Sequence, residues 1–123
     1  MNDGAPAQPR ILVVEDETIL AMMLEDALLD EGYSVVGPFA RVAAALQAAE
    51  LETLDAALLD VNVAGEMVFP VAEMLARRRV PFLLMTGYDK RILGEAHQDW
   101  PVLIKPYRLD DVVARLAAMT GRV

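Results

Sequence analysis

The chain has 123 residues, no cysteine, 55% apolar residues and a formal charge of -8. That size and apolar content suit one compact folded domain, and the missing cysteines exclude disulfides and thiolate metal sites. The acidic balance disfavours sequence-independent nucleic-acid binding. No apolar run approaches the roughly 18 residues of a membrane span, and the opening MNDGAPAQPR is not a secretory signal. These features predict a cytoplasmic protein with neither nucleic-acid nor membrane partners.

Residues 1–9 are rich in Ala, Pro and polar groups and read as a flexible tail, leaving 10–123 as the domain. Strand one is Ile11 to Val14. Helix one runs from about Glu17 to Glu31, with Leu20, Met23, Leu24, Ala27 and Leu28 at three- and four-residue steps and Gly32 as its stop. Strand two is Tyr33 to Val36, ended by Gly37-Pro38. Helix two covers Val42 to Ala49, and strand three Ala56 to Leu59. Helix three spans Met67 to Arg78, with Pro70 tolerated in its first turn. Strand four is Phe82 to Met85. A short fourth helix lies near Lys90 to His97, interrupted by Gly94. Strand five is Val102 to Ile104, and the last helix is Leu109 to Met119.

Strands that are apolar throughout are buried on both faces, and helices between them imply right-handed crossovers in a parallel sheet. The fold class is therefore α/β: a doubly wound, five-stranded, flavodoxin-like sheet in the order 2-1-3-4-5.

In such a sheet all strand carboxyl ends share one edge, and ligands bind where the strand order reverses. Strand one runs into Glu15-Asp16, strand three into Asp60, strand four into Thr86 and strand five into Lys105. Strands one and three are neighbours at the reversal, so three carboxylates converge beside a hydroxyl and an ammonium. Carboxylates so close repel one another. A hard divalent cation removes that cost, and oxygen ligands without histidine or cysteine favour magnesium over zinc. Each residue has an ordinary reading of its own. Asp16 suits a helix cap, Thr86 a turn before Gly87, Lys105 an exposed strand end and Asp60 a loop. All four at one edge read as a site for phosphate and Mg2+.

Four segments resemble the receiver domain of bacterial response regulators: ILVVEDE (11–17), ALLDV (57–61), LLMTG (83–87) and VLIKPY (102–107). The resemblance implies a CheY-like receiver fold with Asp60 as phosphoacceptor. It implies Mg2+ held by Asp16 and Asp60, by Glu15 through water and by the backbone carbonyl of Asn62. Thr86 and Lys105 would contact the phosphoryl group, and Lys105-Pro106 would be a cis peptide. The phosphodonor would be a histidine kinase or a histidine phosphotransfer protein. Downstream protein contacts would use the face of helix four, strand five and helix five, including Ile92, Val102 and Val112. Such a protein catalyses only its own phosphorylation and dephosphorylation and is not an enzyme acting on a separate substrate. With nothing after residue 123, the chain reads as a single-domain regulator, with an excised receiver as the alternative.

The sequence departs from the common receiver pattern in three places. The usual proline four residues after the acceptor is absent from Val61-Asn62-Val63-Ala64-Gly65-Glu66. The switch aromatic three residues before Lys105 is Val102. Strand four continues as Thr86-Gly87-Tyr88. With DVNVAGEMVFPVAEML, VPFLLMTGY and KPY, the chain resembles the FATGUY subgroup. Those are mostly single-domain alphaproteobacterial regulators associated with general stress-response phosphorelays and kinases of the HWE and related classes. Tyr88 is the candidate to take over the missing aromatic's part in the switch.

Two other classes fit part of the pattern. A Mg-dependent phosphatase of the haloacid dehalogenase type needs a second aspartate two residues after the nucleophile, where this chain has Asn62. A pseudo-receiver that binds partners without phosphorylation would not need Asp16, Asp60, Thr86 and Lys105 together. Elsewhere, His97 reads as a surface residue, Arg77-Arg78-Arg79 as a solvated helix end, Glu66 as a charge at the start of helix three, and most of the seven methionines as core filling.

Overall fold

The computed structural model describes residues 8–88 and 90–122. The elements are β1 (Arg10–Val14), α1 (Thr18–Asp30), β2 (Ser34–Phe39), α2 (Val42–Leu51), β3 (Ala56–Asp60), α3 (Phe69–Arg77), β4 (Phe82–Thr86), β5 (Val102–Ile104) and α4 (Leu109–Thr120). A two-residue antiparallel ladder, Asn62–Val63 with Glu66–Met67, stands between β3 and α3. The main sheet is wholly parallel in the order β2-β1-β3-β4-β5, the doubly wound arrangement that the apolar strands predict.

Alternation along each strand divides the core in two. Leu12, Val14, Ala57, Leu59, Phe82 and Leu84 face α2 and α3, where Ala45, Ala49, Val71 and Leu75 meet them. Ile11, Val13, Ala56, Leu58, Leu83 and Met85 face α1 and α4, against Leu24, Leu28, Val112 and Leu116. Each buried leucine contributes about 1.5–3 kcal/mol by leaving water. Both faces being covered explains why these strands are apolar throughout.

Several expectations need correcting. Strand two does not stop at Gly37-Pro38 but runs on to Phe39 through an irregularity in its pairing with β1. Gly37 makes this possible. Its φ is +105°, and a Cβ there would stand 2.8 Å from the Val13 carbonyl oxygen. In α1 the inward residues are Ala21, Leu24 and Leu28. Met22, Met23 and Met67 are exposed, so core filling describes only half of the six described methionines, Met74, Met85 and Met119.

The stretch from Lys90 to His97 is not an α-helix but two 3-10 turns, Lys90–Leu93 and Glu95–His97. Gly94 separates them at φ +71°, and the Gln98 side-chain amide donates to the Lys90 and Gly94 carbonyls. The segment is fastened to the domain by its rings. His97 stacks on Trp100 at 3.7 Å, Trp100 meets Phe82 edge-on, and His97 lies 3.6 Å from Glu73. His97 is thus half-buried rather than a free surface side chain.

Arg78 is not a solvated helix end. Its Nη1 donates to the carbonyls of Ala49 and Glu52, pairing acceptors left over where α2 stops. Glu66 belongs to the short ladder and not to α3, which opens at Phe69 with Pro70 in its first turn. Of the tail, residues 1–7 lie outside the described residues, while the Pro9 carbonyl already accepts from Ser34 N–H.

The contact face expected of helix four, strand five and helix five changes too. Val112 is 1% exposed and part of the core, Ile92 and Val102 are half-buried against it, and Ile104 is the exposed apolar residue of β5.

Candidate active site

The carboxyl edge of the sheet gathers the polar residues. Glu15 and Asp16 follow β1, Asp60 ends β3, Thr86 ends β4 and Lys105 follows β5. Pairing of β3 with β4 and of β4 with β5 sets Asp60 opposite Met85 and Thr86 opposite Ile104. A cleft of about 520 Å³ is lined by Asp16, Glu17, Asp60, Asn62, Thr86, Gly87, Tyr88 and Lys105.

Glu15, Asp60 and Thr86 are the buried polar or charged side chains among the described residues. Oxygens of Glu15, Asp16 and Asp60 lie within 4.8 Å of one another. Lys105 Nζ donates to Asp60 Oδ1 at 3.2 Å and stands 3.9 Å from Glu15 Oε1. One ammonium cannot neutralise three carboxylates, and the pair inside pays for its burial. Burial pushes Glu15 up to about 7, opposed by the Glu17 backbone N–H at its Oε2 and reinforced by the charge of Asp60. Burial also raises Asp60, while the Lys105 charge and hydrogen bond pull the other way. Glu15 Oε1 is buried with no hydrogen-bond partner. An all-oxygen donor set with an unmatched buried carboxylate oxygen fits a hard divalent cation.

Asp16 does not cap α1. The cap position is Glu17, and Asp16 Oδ2 instead accepts the Ala64 backbone N–H at 2.9 Å. This contact explains the loop that lacks proline. Ala64 and Gly65 both have positive φ, 52° and 85°, the signature of a tight two-residue hairpin turn joining the short ladder. Proline is locked near −65° and cannot occupy position 64 in that turn. Asn62 Oδ1 accepts from Gly65 N–H, and Val61 carbonyl from Val68 N–H, completing the loop.

Thr86 Oγ1 accepts from Tyr88 N–H at 3.0 Å, and the Tyr88 side chain is 62% exposed at the wall of the cleft. Val102 is not brought to the cleft. It pairs with Leu84 and packs on the α2–α3 side of the core. The Lys105–Pro106 peptide is cis. Sequence reasoning overlooked Glu17, whose backbone holds Glu15, and Tyr107, whose hydroxyl is buried near the same carboxylates. Both are the last residues of the ILVVEDE and VLIKPY segments, the one signal that could have found them.

An acidic cluster, a hydroxyl and an ammonium thus stand at the edge where a doubly wound sheet binds its ligands. The response regulator receiver domain model matches residues 11–117, and the chain belongs to that family. Among similar proteins, the transcriptional regulatory protein PdtaR of Mycobacterium tuberculosis is 30% identical over 98% of this chain. The match spans 62% of PdtaR, so this chain covers under two thirds of that relative's length. The solution structure of SdrG from Sphingomonas melonis Fr1 is 45% identical, with a TM-score of 0.78 over 94% of this chain and 98% of SdrG. The receiver domain of the sensor histidine kinase PA1611 from Pseudomonas aeruginosa holds a magnesium ion in its active-site cleft. It is 24% identical, with a TM-score of 0.79 over 94% of this chain and 99% of that one, a likeness of fold.

Proposed function

We propose that this chain works as a single-domain response regulator. Asp60 accepts a phosphoryl group from a phosphohistidine on a histidine kinase or histidine phosphotransfer protein. Mg2+ would be held by Asp16, Asp60, the Asn62 backbone carbonyl and, through water, Glu15. The observation that carries this reading is the Asp60 carboxylate itself, nearly buried yet lining an open cleft with a lysine ammonium 3.2 Å from its Oδ1.

The Asp60 carboxylate attacks phosphorus, forming an O–P bond as the N–P bond to the donor imidazole breaks and the imidazole leaves with its electron pair. Lys105 stabilises charge on the phosphoryl oxygens. When bound, Mg2+ neutralises the crowded carboxylates and shares the charge of the transferring group. The Thr86 hydroxyl already accepts from Tyr88 N–H and keeps its own proton to donate to a phosphoryl oxygen. Its movement therefore carries residues 87–88 with it, a two-state loop of the kind that relays phosphorylation.

Similarity to SdrG and the Thr86-Gly87-Tyr88 sequence support membership of the FATGUY subgroup, and with it a cytoplasmic role in a general stress-response phosphorelay. Output passes through protein contacts at β5 and its flanks, where Ile104 is exposed, and the protein acts on no separate substrate.

Incubation with Mg2+ and acetyl phosphate tests the reading. Label should enter the wild type and not Asp60→Asn. No label in the wild type from acetyl phosphate or a phosphorylated kinase would instead favour a phosphorylation-independent interaction module.

A further inference from the structure

At the amino edge of the sheet, opposite the acidic cleft, lies a groove of about 480 Å³. Pro81 leads into β4 and Phe82 begins it, Trp100 and Pro101 lead into β5, and Arg115 and Met119 stand one turn apart on α4. Pro81 and Pro101 are exposed and Trp100 is half-buried. Seven of the eight wall residues are apolar, and the eighth is Arg115.

The charge of this groove sets it apart. The chain has 19 acidic residues against 11 basic ones, yet none of the described acids lines the groove. Arg115 is exposed, and its guanidinium takes part in no ion pair or hydrogen bond among the described residues. Asp111 stands four residues earlier on α4, the spacing at which helical ion pairs form, but the two do not pair.

A cavity of this size, apolar except for one charged group that fixes orientation, has the form of a small-molecule site. The guanidinium matches a carboxylate, which it meets with two parallel hydrogen bonds. The apolar walls require that this carboxylate be attached to an apolar body. An inorganic anion would leave Phe82, Trp100 and Met119 uncovered, and an uncharged hydrocarbon would leave the guanidinium unmatched.

We propose that the groove binds a small amphipathic carboxylate, its apolar body against Phe82, Trp100 and Met119 and its carboxylate on Arg115. The occupant touches the residue that fastens the segment after Tyr88, because His97 of that segment stacks on Trp100 at 3.7 Å. The site shares no residue with the acidic cleft and stands independently of the phosphoacceptor reading.

Trp100 is the one tryptophan of the chain, so its fluorescence reports on the groove. Octanoate titrated into the full chain should change that fluorescence saturably, and the backbone amide resonances of Ala76 and Ala118, which line the groove, should shift with it. Arg115→Gln should weaken octanoate about fivefold and leave the melting temperature unchanged. Octanamide, which lacks the charge, should bind the wild type and Arg115→Gln alike. Ala118→Leu fills the groove from an exposed helix position, keeps the guanidinium, and should also weaken octanoate. A fluorescence change that does not saturate overturns the inference. So does an octanoate affinity unchanged in Arg115→Gln or in Ala118→Leu, or a loss in Arg115→Gln that octanamide shares. Resonance shifts centred on the exposed Ile19, Met22 and Met23 of α1 overturn it as well, because the acid then binds elsewhere.

Discussion

The backbone N–H of Ala64 donates to Asp16 Oδ2 at 2.9 Å, so the turn after Asp60 holds the carboxylate after β1 across 48 residues of sequence. The loop that breaks the family pattern is thereby also a support for the acidic cluster. Ala64 takes part at a cost, since φ +52° disfavours a residue with a Cβ by about 1–2 kcal/mol. Asparagine tolerates that region and is the preferred residue before glycine in this turn. Ala64→Asn should therefore raise stability by about 1 kcal/mol in chemical denaturation. Ala64→Pro should lower it and weaken Mg2+ binding, because the turn cannot close. Equal stability of Ala64→Asn and wild type would count against the hairpin turn.

Glu15 makes the cation-free protein sensitive to pH. Its pKa rises from 4.5 to about 7 on folding, so between those values the folded state binds more protons than the unfolded state. Stability from this group is then highest below pH 4.5, falls as pH rises through 7, and stays low above it. The full fall is roughly 3 kcal/mol. Asp60, raised in the same direction, adds a slope of the same sign. Glu15→Gln should flatten the pH dependence of the Mg2+-free melting temperature and raise that temperature at pH 8. Because a cation must displace the proton, Mg2+ affinity should grow through pH 7 and level off above it. An affinity that does not vary between pH 6 and 8 contradicts this assignment.

Tyr88 stands at the cleft wall and is tied by its backbone to Thr86 Oγ1. If its ring covers the phosphorylated acceptor and keeps out attacking water, Tyr88→Ala should shorten the acyl-phosphate half-life several-fold, roughly 1 kcal/mol of barrier. Tyr88→Phe should keep most of it. Decay of labelled protein checks this, and unchanged lifetimes together with unchanged partner binding leave Tyr88 an ordinary surface residue.

The sheet was legible because burial on both faces writes itself as unbroken apolar strands, as in Ala56 to Leu59, and the strand ends then pointed to Glu15, Asp16, Asp60, Thr86 and Lys105 together. What was lost lay where local pattern and tertiary packing disagree. Lys90 to His97 has helical spacing, but Gly94, the Gln98 amide and the His97–Trp100 stack settle it as 3-10 turns. Met22 and Met23 sit in a helix apolar on several sides, so periodicity could not tell which residues turn outward. Arg78 pairs with carbonyls of another helix, a long-range contact that no window of sequence contains. The Ala64–Asp16 bond is of the same kind, and a missing proline could not announce it.

The proposed transfer of a phosphoryl group from phosphohistidine to Asp60 can be measured at the residue itself. Its most direct measurement is peptide mapping by mass spectrometry after reaction with a phosphorylated histidine kinase and Mg2+. One phosphoryl group per chain is expected, carried on Asp60 as an acyl phosphate labile to base, and none on Asp60→Asn. A phosphoryl group found on another residue, or on Asp60→Asn at the wild-type level, would contradict it.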